Sequence, residues 1–332
     1  MTTNTLNNAQ STWARLRPRL KPLPYLLLLP TLYFVFLFTI LPTFKVLRDS
    51  QIYFHPNRPN RVMETNLQLP GIVAEPRSIR GPHEVGLAYF RAMFDANSEI
   101  GQQFRQVMGN TLVYVVATVP ISMLLAFVFA TLVNRKIRGI GWARVAFFYP
   151  TMLPMVSAAT IWLFFFTPEY GLLNSALRFF GYSGPENWII NPRLALWALV
   201  IVAIWKNAGY FMIFYLAGLQ NLPEDVYEAA SLDGASWWVK MFRITLPLLR
   251  RTTLFVSVIA VIGAFQTIDH ALVMTDELVT GEADLLLYEI YQQRFLLQNY
   301  GLANALTVVM IVILLGLTLA NFFLSERGDD VD

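Results

Sequence analysis

Long apolar runs dominate the chain. No charged residue lies between Lys21 and Lys45, and the stretch PLPYLLLLPTLYFVFLFTILPTF exceeds the ~20 apolar residues that a membrane-crossing helix needs. Arg15, Arg17, Arg19 and Lys21 precede it, which raises a cleaved signal peptide as an alternative. Its apolar region is too long for that and no small-residue cleavage site follows, so it reads as an uncleaved span at 25–47. Five more runs follow, at about 110–133, 142–166, 194–219, 252–275 and 302–324. The pattern predicts an all-α membrane protein of six transmembrane helices. Pro120, Pro150 and Pro154 fall inside these runs; membrane helices tolerate proline where neighbours satisfy the freed backbone groups.

Composition agrees with this reading. Of 332 residues, 55% are hydrophobic and 14% charged, too little charge for a soluble domain of this size. Aromatic residues reach 14%, which suits interfacial belts of Trp and Tyr. A net charge of +3 gives no footprint for nucleic acid. The absence of cysteine removes disulfides, thiol nucleophiles and thiolate metal sites. His55, His83 and His270 are far apart, with no H-E-x-x-H or similar ligand pair, so no metal site and no catalytic residue is expected.

Basic residues set the expected orientation. The N-terminal tail at 1–24 carries them without acids, as does the short loop with Arg135, Lys136 and Arg138, with Arg144 just beyond. Positive short loops stay in the cytoplasm, so both termini and the segment 220–251 are expected inside, with a cytoplasmic tail at 325–332. The segment 48–105 is then extracytoplasmic, and 106–324 forms the core membrane domain. Segment 48–105 reads either as an excursion packed on the membrane domain or as a docking surface for a delivery protein.

The segment 220–251 is specified locally. Pro223 before Glu224 and Asp225 starts a helix, because proline suits the first helical position and acids suit the positive end of the dipole. Asp233-Gly234 ends it, since glycine readily takes the backbone angles of a helix stop. In a second helix Trp238 and Phe242 are four apart, as are Trp237 and Met241, with Lys240 and Arg243 supplying a basic face. The result is a short helix, a glycine corner and an amphipathic helix at the inner membrane surface; an ordinary interfacial loop is the plainer reading.

These residues carry a resemblance. Glu228-Ala229-Ala230, then Asp233-Gly234-Ala235, then Phe242, Ile244, Leu246 and Pro247 resemble the EAA loop of permease subunits in binding-protein-dependent ABC importers. The approach AGLQNLPEDVYEAA, NTLVYVV in the second run and AIWKNAGYFMIFYLAGLQ in the fourth are similar to the carbohydrate-uptake subgroup, which includes maltose and glycerol-3-phosphate permeases. The likeness covers roughly two thirds of the chain, from about residue 110 onward. It implies the type-I ABC importer membrane fold and a multi-pass subunit in the cell membrane of a prokaryote. It also implies partners: a second homologous permease subunit, two copies of a cytoplasmic ATP-binding subunit, and an extracytoplasmic solute-binding protein. In this family the EAA loop forms a coupling helix on the ATPase. Glu228 would make the charged contact, Gly234 would set the corner, and Ala229, Ala230 and Ala235 would allow close approach, with Asp233 beside them. The chain has no G-x-x-x-x-G-K-[ST] loop, so ATP and Mg belong to the partner and this chain is a transport subunit rather than an enzyme.

Ionisable residues at membrane depth are functional by default, and Lys206, Asp269 and His270 stand out. Lys206 lies about 18 Å from the outer end of its run and Asp269 about 8 Å from that of its own, at ~1.5 Å per residue. A direct pair therefore needs Lys206 to reach outward, and Gln266 is an alternative partner. A hydroxylated solute needs hydrogen-bonding groups and flat apolar faces; Asn207, Tyr210, Gln266 and Thr267 offer the former, Trp205 with Tyr210 the latter. Asn207, Tyr210 and Thr267 match sugar-contact positions of the maltose permease best, whereas Ala260 and Ala264 are apolar at matched positions. Interhelical hydrogen bonding is the plainer role for these groups. A further departure follows the fifth run, where the subgroup's T-x-G-G-P is replaced by Thr275-Asp276-Glu277-Leu278.

Three other readings compete. Against a permease for another solute class, such as amino acids or phosphate, the extended Leu-Pro-Glu-Asp approach and the LPLL exit resemble the carbohydrate subgroup. A stand-alone secondary transporter usually shows internal repeats, and no convincing duplication is present. A membrane-embedded enzyme would need a G-x-S-x-G, a metal cluster or paired carboxylates, none of which is found.

Overall fold

A computed structural model describes residues 22–53, 83–135, 137–182, 186–274 and 283–326. Most of the two tails, half of the 48–105 segment (54–82) and the stretch 275–282 lie outside the described residues. The chain divides into two units, Met1–Arg48 and Asp49–Asp332.

The first unit holds helix α1 (Pro22–Val35), a π-helical turn (Phe36–Ile40) and most of α2 (Leu41–Asp49). Pro42 explains the π turn. It cannot donate to the carbonyl four residues back and its ring crowds that carbonyl, and one wider turn relieves the clash while Leu41 N–H bonds the Phe36 carbonyl.

The second unit carries the remaining spans. A two-residue antiparallel ladder pairs β1 (Ile52–Tyr53) with β2 (His83–Glu84), followed by α3 (Ala88–Phe94) and α4 (Glu99–Val133). At 35 residues α4 is roughly 50 Å long, well beyond a ~30 Å hydrocarbon core. Its excess lies at the N-terminal end, where the Ser98 hydroxyl caps it by accepting from Gly101 N–H. There Tyr89, Ala92 and Met93 of α3 pack on Phe104 and Val107 of α4 and on Leu302 and Leu306 of the last helix, so this end is closed by a small second core.

The third apolar run is not one straight span. It forms α5 (Ile140–Met152) and α6 (Met155–Phe165), bent by 101°. This corrects the expectation of a continuous helix over 142–166. Pro154 removes a backbone donor and drives Leu153 into extended geometry at ψ 136°, which ends α5 there. A short helix α7 (Leu172–Phe179) leads to α8 (Pro192–Gln220), with Pro192 in its first turn and Asn191 capping Arg193 N–H. Helix α8 is the centre of the main core, packed between α4, α5 and α12. Beyond it lie α9 (Glu224–Leu232), α10 (Trp237–Val239), a π turn (Lys240–Thr245) and α11 (Leu246–Leu248). The fifth span is also interrupted: α12 (Arg250–Phe265) stops at Gln266 and α13 (Asp269–Met274) resumes after Thr267 and Ile268. Helix α14 (Leu286–Tyr291) and α15 (Tyr300–Glu326) complete the chain.

Candidate functional site

Irregular backbone inside a membrane persists only where protein covers it or a cavity receives it. The two interrupted spans meet in this way. The gap between α5 and α6 and the gap between α12 and α13 both face the middle of α8, beside a cavity of about 260 Å³. Lys206, Asn207 and Tyr210 reach it from α8, Gln266, Thr267 and Asp269 from the second gap, and Tyr114 and Phe211 supply aromatic faces. Lys206 stands midway between Pro192 and Gln220, about 21 Å from either end at ~1.5 Å per residue.

Six of the seven pathway residues singled out by sequence thus line one cavity. Trp205 does not: its ring packs edge-on against Trp162 of α6 at 5.7 Å and supports the wall from behind. Ala260 lines the cavity, while Ala264 is buried in the core. Lys206 takes neither of its two expected partners. Its ammonium donates to the Pro150 carbonyl at 3.2 Å and to the Leu153 carbonyl. These are carbonyls that the end of α5 leaves without intrahelical donors, and a cation suits the negative end of the helix dipole. Lys206 is the neighbour that makes the proline break tolerable.

The structure adds a pair that sequence reasoning did not find. Tyr114 of α4 hydrogen-bonds Nε2 of the buried His270 at 3.3 Å and lies 3.5 Å from the Thr267 hydroxyl, pinning the second gap to α4. A tyrosine hydroxyl inside an otherwise apolar run was the available signal, since a buried hydroxyl demands a partner.

The glycine corner is built as the residues specify. Gly234 has φ +71° and closes a Schellman motif, with Ala235 N–H on the Ala230 carbonyl at 2.9 Å and Gly234 N–H on the Ser231 carbonyl at 3.2 Å. Glu228, Ala229 and Asp233 are exposed, Ala235 is half-buried and Ala230 is buried. Tyr227 meets the Thr245 hydroxyl at 2.9 Å and Lys240 donates to the Ser231 hydroxyl at 2.6 Å, so α9 is braced against the following π turn. Trp238 and Phe242 stack at 5.8 Å and stay exposed, an aromatic face beside the corner. The π turn has the same cause as the first: Pro247 follows it, and Leu246 N–H bonds the Met241 carbonyl.

Residues 111–327 match the family described as binding-protein-dependent transport system inner membrane component. The chain belongs to this family. It is 29% identical over 312 residues to the trehalose/maltose transport system permease protein MalF of Thermococcus litoralis, covering 92% of this chain and 94% of that one. It is 32% identical over 244 residues to the sn-glycerol-3-phosphate transport system permease protein UgpA of Agrobacterium fabrum, covering 73% and 81%. Its fold matches a chain of the bacterial alginate ABC transporter solved in complex with an alginate pentasaccharide-bound periplasmic protein, with TM-score 0.73 and 20% identity over 98% of each chain. The chain is therefore a membrane-spanning permease of the ABC importer type.

Proposed function

We propose that this permease forms half of the translocation pathway for a sugar or sugar-like solute. The observation that carries the reading is the cavity at the centre of α8. Transporter sites sit near the bilayer midplane where helices are interrupted, and two interruptions converge there on Asn207, Tyr210, Gln266 and Thr267. Such groups suit a polyhydroxylated solute. Curated relatives named for trehalose/maltose and for glycerol 3-phosphate support that solute class.

A second homologous permease completes the pathway, and a solute-binding protein delivers the solute from outside the cell membrane of a prokaryote. Both termini and residues 220–251 face the cytoplasm, as the basic loops require. Energy comes from two ATP-binding subunits, which hold ATP and Mg. The exposed Glu228, Ala229 and Asp233 with the Gly234 corner dock on them and pass their closure to the spans. The test is copurification with an ATP-binding subunit, then stimulation of its hydrolysis by binding protein loaded with sugars, polyols or glycerol phosphates. Stimulation by one of these is expected. A copurifying ATPase that responds to none of them would overturn the solute class and leave an importer of another solute. Failure to copurify would overturn the importer assembly itself.

A further inference from the structure

The charged groups that line the cavity among the described residues are Lys206 and Asp269. They are not equivalent. The Lys206 ammonium is committed to the Pro150 and Leu153 carbonyls, the negative end of α5, so its charge is compensated within the protein. Drawing it toward a solute would strand two main-chain carbonyls at the middle of the membrane, which costs the desolvation of each. Asp269 is exposed to the cavity, and among the described residues it forms no hydrogen bond or ion pair. Lys206 attracts it across the cavity without reaching it.

A solute entering this half of the cavity therefore meets an open carboxylate and a cation already in use. An anion is repelled by the first and can pair with the second only by taking the donor from the Pro150 and Leu153 carbonyls. Hydroxyl groups fare differently, because a carboxylate accepts from them at several lone pairs, and the side-chain amides of Asn207 and Gln266 offer both donors and acceptors nearby. We propose that Asp269 is a specificity-determining residue that makes this chain's half of the cavity select an uncharged hydroxylated solute over its anionic counterpart. The inference rests on the sugar-importer reading above and narrows it. The relative named for glycerol 3-phosphate and the fold neighbour crystallised with alginate carry names of anionic solutes, so likeness to them does not lead to this conclusion.

The test uses the complete importer in proteoliposomes with ATP inside. Probes are neutral di- and trisaccharides (trehalose, maltose, maltotriose) and their 6-phosphates or uronic acids. Wild type is compared with Asp269→Asn and Asp269→Ser, with the same binding protein throughout, so any change in preference arises in the permease. A neutral preference in wild type that shrinks roughly tenfold in either variant is expected, the effect of one carboxylate near ~6 Å at intermediate dielectric. A merely structural role would slow both probe classes alike. Equal uptake of the two classes by wild type, or a preference unchanged in the variants, would overturn the proposal while leaving the sugar reading intact. Uptake of no probe in either class would overturn the sugar reading and this proposal with it. If both variants fail to assemble, wild-type maximal rates with the binding protein saturated by each probe decide, because saturation removes the binding protein's own preference: a faster neutral class supports the proposal and equal rates overturn it.

Discussion

Gly209 is where the cavity's geometry can be broken most cleanly. It lies one helical turn beyond Lys206 on α8, and a Cβ built there would stand 2.1 Å from the Phe147 carbonyl oxygen of α5. Ordinary contact begins near 3.4 Å, so α5 and α8 would have to part by about 1 Å. The obstacle is main chain, and no rotamer change can absorb it. Over-packing of this kind costs about 1–3 kcal/mol, which for a chain of 332 residues corresponds to a fall of roughly 1–4 °C in melting temperature. Parting the helices also moves Lys206 away from the Pro150 and Leu153 carbonyls, so transport should fall by more than the loss of folded protein. The control is Gly109→Ala on α4, where an added Cβ meets nothing within 4 Å. That change should be neutral or stabilising by ~0.5–1 kcal/mol, because alanine favours a helix over glycine. Thermal melting of the purified complex and uptake in proteoliposomes read both effects. If Gly209→Ala melts with wild type and transports normally, the close α5–α8 approach and the role given to it are refuted.

Three other outcomes are expected. Lys206→Met should destabilise the assembled permease by about 2–4 kcal/mol through two lost charge-assisted bonds, and Lys206→Arg should recover part of it; equal melting of all three proteins would contradict the capping role. Glu228→Ala and Gly234→Pro should leave membrane insertion intact but separate ATP hydrolysis from uptake, the proline because it cannot adopt φ +71°; normal uptake by both in vesicles would remove the coupling assignment. Glu289 lies in the connection between α13 and α15, outside the spans. There it accepts from Gln103 at 2.9 Å and Gln293 at 2.8 Å, and burial holds its pKa above the usual carboxylate value of 4.5. The folded protein then binds the proton more tightly than the unfolded chain. This contribution is fully present below about pH 4.5 and is lost as pH rises through the folded value, a slope that Glu289→Gln should flatten in melting curves taken across pH.

The corner at Gly234 was legible because its causes are local. Pro223, the two acids, the Asp-Gly stop and the aromatic spacing act within a few residues of one another, and the backbone has few ways to obey them. The apolar spans were legible because their length is set by the solvent they cross, whatever they pack against. Six of the cavity-lining residues could be picked out because polar groups in apolar runs need partners, yet which partners they take was not legible. The distance of Lys206 along its helix left Asp269 and Gln266 as choices, and neither is used. The actual partners are main-chain carbonyls, which every residue carries and which no side-chain pattern marks.

The bend in the third span shows the same division. Pro150 and Pro154 announced that backbone groups would be freed, and the sequence alone could say no more than that a neighbour must satisfy them. The 101° turn, the lysine fifty-odd residues later that caps it, and the Tyr114–His270 pair that fixes the opposite gap are long-range matches between helices. By itself the sequence determined how many apolar segments there are and where the glycine corner at Gly234 falls. Only the tertiary structure decided which broken backbone faces which side chain, because a polar group in a membrane is satisfied by whatever lies beside it in space, however distant in the chain.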